Sequence, residues 1–212
     1  MIHLLLRRSL AFFRHLMSFL GLVRFRIRGD LPKGPFVLVS NHPTLIDAPL
    51  LLGLIPNATC IVKNSLERSW SYHVAIEELG YIPNGESQHF IERCIDAVRG
   101  GRPLLIFPEG TRSDSLRSFE RGAATIALRA GVPLLAAVLT CDPPMLGKGS
   151  RWHEVPPRSV DFTISIEYPQ FFAQNESVTS VSDASEISLQ RGQSIRMTAE
   201  LENFYRERLA NE

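Results

Sequence analysis

The sequence predicts an α/β layered fold: a sheet containing parallel strand pairs, flanked by helices, with a basic amphipathic helix at the N-terminus. Three observations predict it. Short apolar runs alternate with longer segments whose apolar residues recur at helical spacing. The runs are apolar at successive positions, as strands covered on both faces are. Glycine and proline punctuate the junctions, so each change of period has a local cause.

Residues 1–27 form the first element. Between Met1 and Arg28 the chain carries six arginines, two histidines and no acidic residue. On a helical projection His3, Arg7, Arg8, Arg14, His15 and Ser18 share one side, and Leu5, Leu6, Phe12, Phe13, Leu16, Met17, Phe19 and Leu20 cover the rest. Such a helix lies in a membrane interface and is attracted by anionic lipid. Its arginines interrupt it well short of the ~20 apolar residues a span requires. The broken apolar stretches, without a small-residue cleavage site, argue against a secretory signal. The alternative is a helix packed on the core with its arginines in solvent. The expected location is the cytoplasmic face of a membrane, as a peripheral or monotopic protein.

Residues 28–212 are expected to form the remaining domain. Residues 36–39 read as a buried strand, 49–55 as a short helix, 58–62 as a strand and 65–79 as a helix stopped by Gly80. Ser87 caps a helix through about residue 99, striped by Phe90, Ile91, Cys94, Ile95 and Val98 and ended by Gly100-Gly101. A strand follows at 103–107, a helix at 122–130 closed by Gly131, and a strand at 132–140. Residues 141–159 read as a long loop, and 160–168 alternate as a late strand. A serine-rich polar stretch near 174–188 predicts a mobile connection. The last twenty residues form an amphipathic helix with Ile195, Leu201, Phe204 and Leu209 on its apolar side.

Composition narrows the function. A net charge of +1, with no arginine-lysine groove or aromatic ladder, argues against nucleic acid as a partner. Cys60, Cys94 and Cys141 are odd in number and far apart; they fit a reducing compartment and have neither zinc spacing nor a disulfide framework. His73, His89 and His153 lack ligand spacing, so no metal site is expected.

Two clusters carry chemistry. Asn41-His42-Pro43-Thr44-Leu45-Ile46-Asp47 follows the strand at 36–39, and Phe107-Pro108-Glu109-Gly110-Thr111-Arg112-Ser113 ends the strand at 103–107. Pro43 keeps His42 out of the helical region. With His42 outside the helix and Asp47 in its first turn, the carboxylate can fold back on the imidazole, fix its tautomer and make it a base toward a hydroxyl. Asp47 also stands where a capping box places its acidic residue, so closing the helix start is the competing role. The second cluster joins a glycine loop to an arginine, a combination suited to phosphate. Parallel strands would set both clusters on one rim of the sheet.

Asn-His-x4-Asp followed by Phe-Pro-Glu-Gly-Thr-Arg-Ser resembles the glycerolipid acyltransferases, typified by 1-acylglycerol-3-phosphate acyltransferase, over about residues 28–139. Lys63, the Phe119-Glu120-Arg121-Gly122-Ala123 block, Gly80-Tyr81-Ile82-Pro83 and Val132-Pro133-Leu134-Leu135 fit the same family. Three positions depart: Arg121 lies where a lysine is usual nearby, Ala136 replaces a second proline, and Asn84-Gly85-Glu86 replaces Val-Asp-Arg. The resemblance implies transfer of a fatty acyl group from an acyl carrier protein or coenzyme A thioester to a lysolipid hydroxyl, most readily that of lysophosphatidic acid. It requires no metal or cofactor beyond the thioester co-substrate. His42 and Asp47 would be catalytic, while Asn41, Lys63, Glu109, Gly110, Thr111, Arg112 and Arg121 would bind substrate, Arg112 pairing with the phosphate. A different lysolipid or a specialised-lipid acceptor is the alternative raised by Glu86. A lipid-binding relative without catalysis is a further alternative, disfavoured by the retained His42 and Asp47.

Overall fold

In chain order the elements are α1 (Ile2–Phe19), β1 (Val23–Arg28), β2 (Val37–Ser40), α2 (Asp47–Leu54), β3 (Thr59–Val62), α3 (Trp70–Leu79), β4 (Ile82–Pro83), α4 (Gln88–Arg99), β5 (Leu104–Ile106), α5 (Gly122–Ala130), β6 (Leu134–Asp142), β7 (Val160–Glu167) and α6 (Ala184–Ala210). They come from a computed structural model that describes residues 2–63, 70–85, 88–110, 112, 116–151, 153–169 and 184–210.

The strands make one seven-stranded sheet in the order β1-β7-β6-β2-β5-β3-β4. Every neighbouring pair is parallel except β6 with β7. The alternation of strand side chains divides the core in two. Leu38, Leu105, Leu135, Ala137 and Leu139 face α1, α2 and the end of α3, while Val37, Val39, Leu104, Ile106, Ala136 and Val138 face α4, α5 and α6. The result is a three-layer α/β/α sandwich, the layered fold the sequence predicts. Its central strands β2 and β5 pair in register, Val39 opposite Ile106, so the segments that follow them emerge side by side at the carboxyl edge.

The N-terminal segment departs from the expected 1–27 helix. The helix stops at Phe19, and Val23–Arg28 is an edge strand parallel to β7. Its alternation of Val23, Phe25 and Ile27 with Arg24, Arg26 and Arg28 has period 2; Arg24 makes a two-pronged bond to Asp161 across the pair at 2.8 and 2.6 Å. The apolar side of α1 is itself split. Ile2, Leu6, Leu10 and Met17 pack on the core, whereas Leu5, Phe12 and Phe19 are exposed. No helix among the described residues is long and apolar enough to cross a membrane.

The C-terminal helix is longer than expected. It starts at Ala184, inside the stretch read as a polar connection to residue 188; residues 170–183 lie outside the described residues. Its buried side is Ser194, Met197, Thr198, Leu201 and Tyr205, and Ile195 is exposed.

Candidate active site

The dyad forms at the carboxyl edge of β2. Asp47 opens α2 and is fully buried, while the His42 side chain retains 17% exposure. His42 Nδ1 lies 2.8 Å from Asp47 Oδ2. The same oxygen accepts the Thr44 backbone N–H at 2.7 Å, and Oδ1 accepts the Thr44 hydroxyl. Contacts to the residues before the helix and to the imidazole therefore coexist in one carboxylate, so whatever orders the helix start also orders the group beside the imidazole. The opposite ring nitrogen, Nε2, is left for the cavity that His42 lines.

The second cluster reaches His42 from β5. Phe107, one residue beyond the strand, stacks on the imidazole with ring centroids 4.2 Å apart and planes tilted by 25°. The chain then turns, with Gly110 N–H donating to Phe107 O at 3.0 Å, Pro108 in the second position, and Gly110 at φ +65°, where a side chain would strain the backbone. This turn consumes the Gly110 N–H, which the sequence offered to a phosphate. Gly110 still lines the cavity.

Glu109, expected to bind substrate, has a main-chain partner in this structure. Its half-buried carboxylate accepts the backbone N–H of Arg117 at 3.2 Å, and the backbone N–H of His42 is near enough to favour its charged form. Burial raises its pKa, against the opposing pull of those backbone groups and of His42. Asn41 also has main-chain partners. Its amide donates to Leu139 O and accepts from Leu139 N, both at 2.8 Å, so a buried splice between β2 and β6 uses both ends of the group.

The cavity occupies about 470 Å³. Lys63, Arg112 and Glu120 bring charge to its wall, and Ile61, Phe90, Ile106 and Ile126 make it apolar. Arg112 is also structural: its Nη1 donates to Leu146 O at 3.3 Å and Gly147 O at 3.2 Å, holding the loop after β6 against the site. Arg121 does not line this cavity. It lines a separate groove between α4, α5 and α6, while Gly122, the next residue, lines both. Thr111 and Glu86 lie outside the described residues.

Three supporting side chains went unassigned in the sequence. Tyr205 of α6 is fully buried, with its hydroxyl 2.8 Å from Val39 O and 3.0 Å from Ala137 O. Burial raises its pKa far above the ordinary tyrosine value, so it is a neutral donor. Phe119 meets the Tyr205 ring edge-on, and Glu202 accepts the Phe119 N–H at 3.2 Å. Only the apolar spacing of α6 hinted at this, without naming its target. The cysteines are poor nucleophiles: burial pushes the Cys60 and Cys94 thiols up to about 12.

Known proteins resemble this arrangement. The chain is 36% identical over 114 residues to the lyso-ornithine lipid O-acyltransferase of Pseudomonas aeruginosa, a match covering 50% of this chain and 43% of that protein. It is 34% identical over 119 residues to a chloroplastic 1-acyl-sn-glycerol-3-phosphate acyltransferase of Brassica napus, covering 52% of this chain and 35% of the relative. The matched stretches thus span less than half the length of these relatives. The crystal structure of the 1-acyl-sn-glycerophosphate acyltransferase from Thermotoga maritima superposes with a TM-score of 0.61 at 24% identity, over 92% of this chain and 79% of that one, which establishes a shared fold. The model of the family described as Acyltransferase matches residues 22–140, more than half of the chain, and this protein belongs to that family.

Proposed function

We propose that the protein is a lysolipid O-acyltransferase that moves a fatty acyl group from an acyl carrier protein or coenzyme A thioester to a lysolipid hydroxyl. The observation that carries this reading is the His42–Asp47 dyad, 2.8 Å apart at the wall of a largely apolar cavity. His42 Nε2 takes the proton of the acceptor hydroxyl as its oxygen attacks the thioester carbonyl carbon. The tetrahedral intermediate then collapses, the C–S bond breaks, and the imidazolium returns its proton to the departing thiolate. Asp47 holds Nδ1–H throughout, which presents Nε2 as the base. A thioester is already an activated acyl group, so the reaction requires no metal or further cofactor.

The acceptor we favour is 1-acylglycerol-3-phosphate, with Arg112 and Lys63 toward its phosphate, a reading supported by the names of several relatives. A second acceptor is favoured by a specific observation. Glu120 puts a carboxylate in the same wall, and a relative acts on a lyso-ornithine lipid, whose headgroup amine would suit it. The exposed Leu5, Phe12 and Phe19 of α1, beside Arg8 and His15, support association with an anionic membrane surface, the cytoplasmic face being the side proposed.

Purified protein incubated with acyl carrier protein and coenzyme A thioesters and a panel of lysolipids, with products identified by mass, tests the reading. Acylated lysolipid is expected, with His42→Ala slower by about 10²–10⁴-fold and Asp47→Asn severely impaired while the fold persists. Activity of His42→Ala within a few-fold of wild type would sink the mechanism.

A further inference from the structure

We propose that the groove between α4, α5 and α6 holds the phosphorylated nucleotide end of a coenzyme A thioester. This rests on the thioester-transfer reading and adds the identity and seat of the donor. The groove occupies about 560 Å³, the size of a small-molecule site. Arg121 and Arg129 of α5 and Arg191 of α6 line it, and no carboxylate does among the described residues. Arg129 is pledged to Glu92 at 2.6 Å, but Arg121 and Arg191 have no ion-pair partner among the described residues. Arg121, Thr125 and Arg129 are four residues apart in turn, so they stand in a row on one side of α5 that faces Arg191 and Ser194.

Guanidinium groups bind phosphate oxygens in pairs and also stack on planar rings, and Ile91 and Leu128 add an apolar wall against which a purine can lie. Both parts of a phosphorylated nucleotide are thereby matched. The concave shape argues for a small molecule over the convex surface of a folded carrier protein.

The groove also abuts the dyad cavity. Gly122 lines both, and a Cβ built there would come into van der Waals contact with Ile91 Cδ1 at 3.9 Å, so glycine leaves more room at this seam than a side chain would. A pantetheine arm crossing this seam carries its thioester from the nucleotide seat into the cavity of His42. Arg121, expected to help hold the acceptor, is thereby assigned to the donor.

Calorimetry on the full chain with coenzyme A and with adenosine 3′,5′-bisphosphate tests the groove without turnover. Arg191→Glu and Arg121→Ala, checked for folding by circular dichroism, are expected to weaken both ligands at least about tenfold. They are expected to raise the KM of acyl-coenzyme A in parallel, leaving transfer from an acyl-N-acetylcysteamine thioester, which has no phosphate, much less affected. Absence of coenzyme A binding to the wild type, unchanged binding in both variants, or a defect confined to acyl carrier protein donors would overturn the proposal. Failure of every thioester to donate would instead reject the transfer reading, and the binding measurement would still decide the groove.

Discussion

The active-site residues are held mainly by contacts with main chain. Asp47 takes three donors from Thr44 and His42, and Glu109 accepts the Arg117 backbone N–H beside the main chain of His42. Glu109→Gln separates this hydrogen bond from its charge. Because burial raises the Glu109 pKa, the native state binds the proton more tightly than the unfolded chain does. The wild type therefore loses stability as pH rises from the ordinary glutamate range through the raised value, and the glutamine variant lacks that loss. Denaturant midpoints from pH 4 to 8 are expected to favour the variant increasingly toward the alkaline end, while its kcat falls because the negative charge beside His42 is lost; an identical pH slope for the two proteins would refute the burial argument. The dyad was legible in the sequence because it is local: five residues and a proline specify it. The surroundings of Asn41, Glu109 and Arg121 were not legible, because what they meet, Leu139, the main chain near His42 and the α6 groove, comes from elsewhere in the chain. The direction of a side chain then depends on packing that no motif encodes.

At the scale of elements, the two helices described outside the matched family region do different work. α6 braces the sheet through Tyr205, whose hydroxyl spans the carbonyls of Val39 and Ala137 on the strands that carry His42 and Asn41's partner Leu139. Tyr205→Phe removes that bond and leaves the ring, so it is expected to cost about 1–2 kcal/mol in denaturant unfolding. A fall in kcat with the acceptor KM unchanged would mark loosened positioning of His42; unaltered stability would mean the carbonyls do not need the hydroxyl. α1 offers the converse case, with one apolar strip on the core and another in solvent. Phe12→Ser with Phe19→Ser is expected to release the protein from anionic vesicles, since each buried phenyl is worth about 1.5–3 kcal/mol. Sedimentation with vesicles measures this, and retention of the double variant would disprove insertion of that strip. The central α/β alternation was readable because each strand and helix announces its own period. β1 was not: six alternating residues adjoining a basic helix extend its charge pattern, and their pairing partner β7 lies 137 residues away at Arg24–Asp161.

On the scale of the molecule, seven elements or their ends converge on one cavity, and its charges would select the headgroup of the proposed acceptor. Lys63 follows β3, Arg112 follows β5, and Glu120 precedes α5. Two cations and a carboxylate in one wall make the acceptor's charge the deciding variable, because a like charge opposes binding while an opposite one assists it. If the acceptor presents a phosphate, Arg112→Ala is expected to lower kcat/KM for 1-acylglycerol-3-phosphate by about ten- to a hundredfold, as loss of a charge-assisted bond does. Glu120→Gln is then expected to improve the same acceptor by about two- to fivefold, a size fitting an exposed carboxylate. If the acceptor presents an amine, the signs reverse: Glu120→Gln weakens a lyso-ornithine lipid, and Arg112→Ala changes little beyond loosening the loop at Leu146 and Gly147. Measuring both variants against both acceptors gives four ratios, and only one pattern of signs is compatible with each headgroup. A phosphate acceptor that Arg112→Ala leaves untouched and Glu120→Gln impairs would reject the favoured assignment.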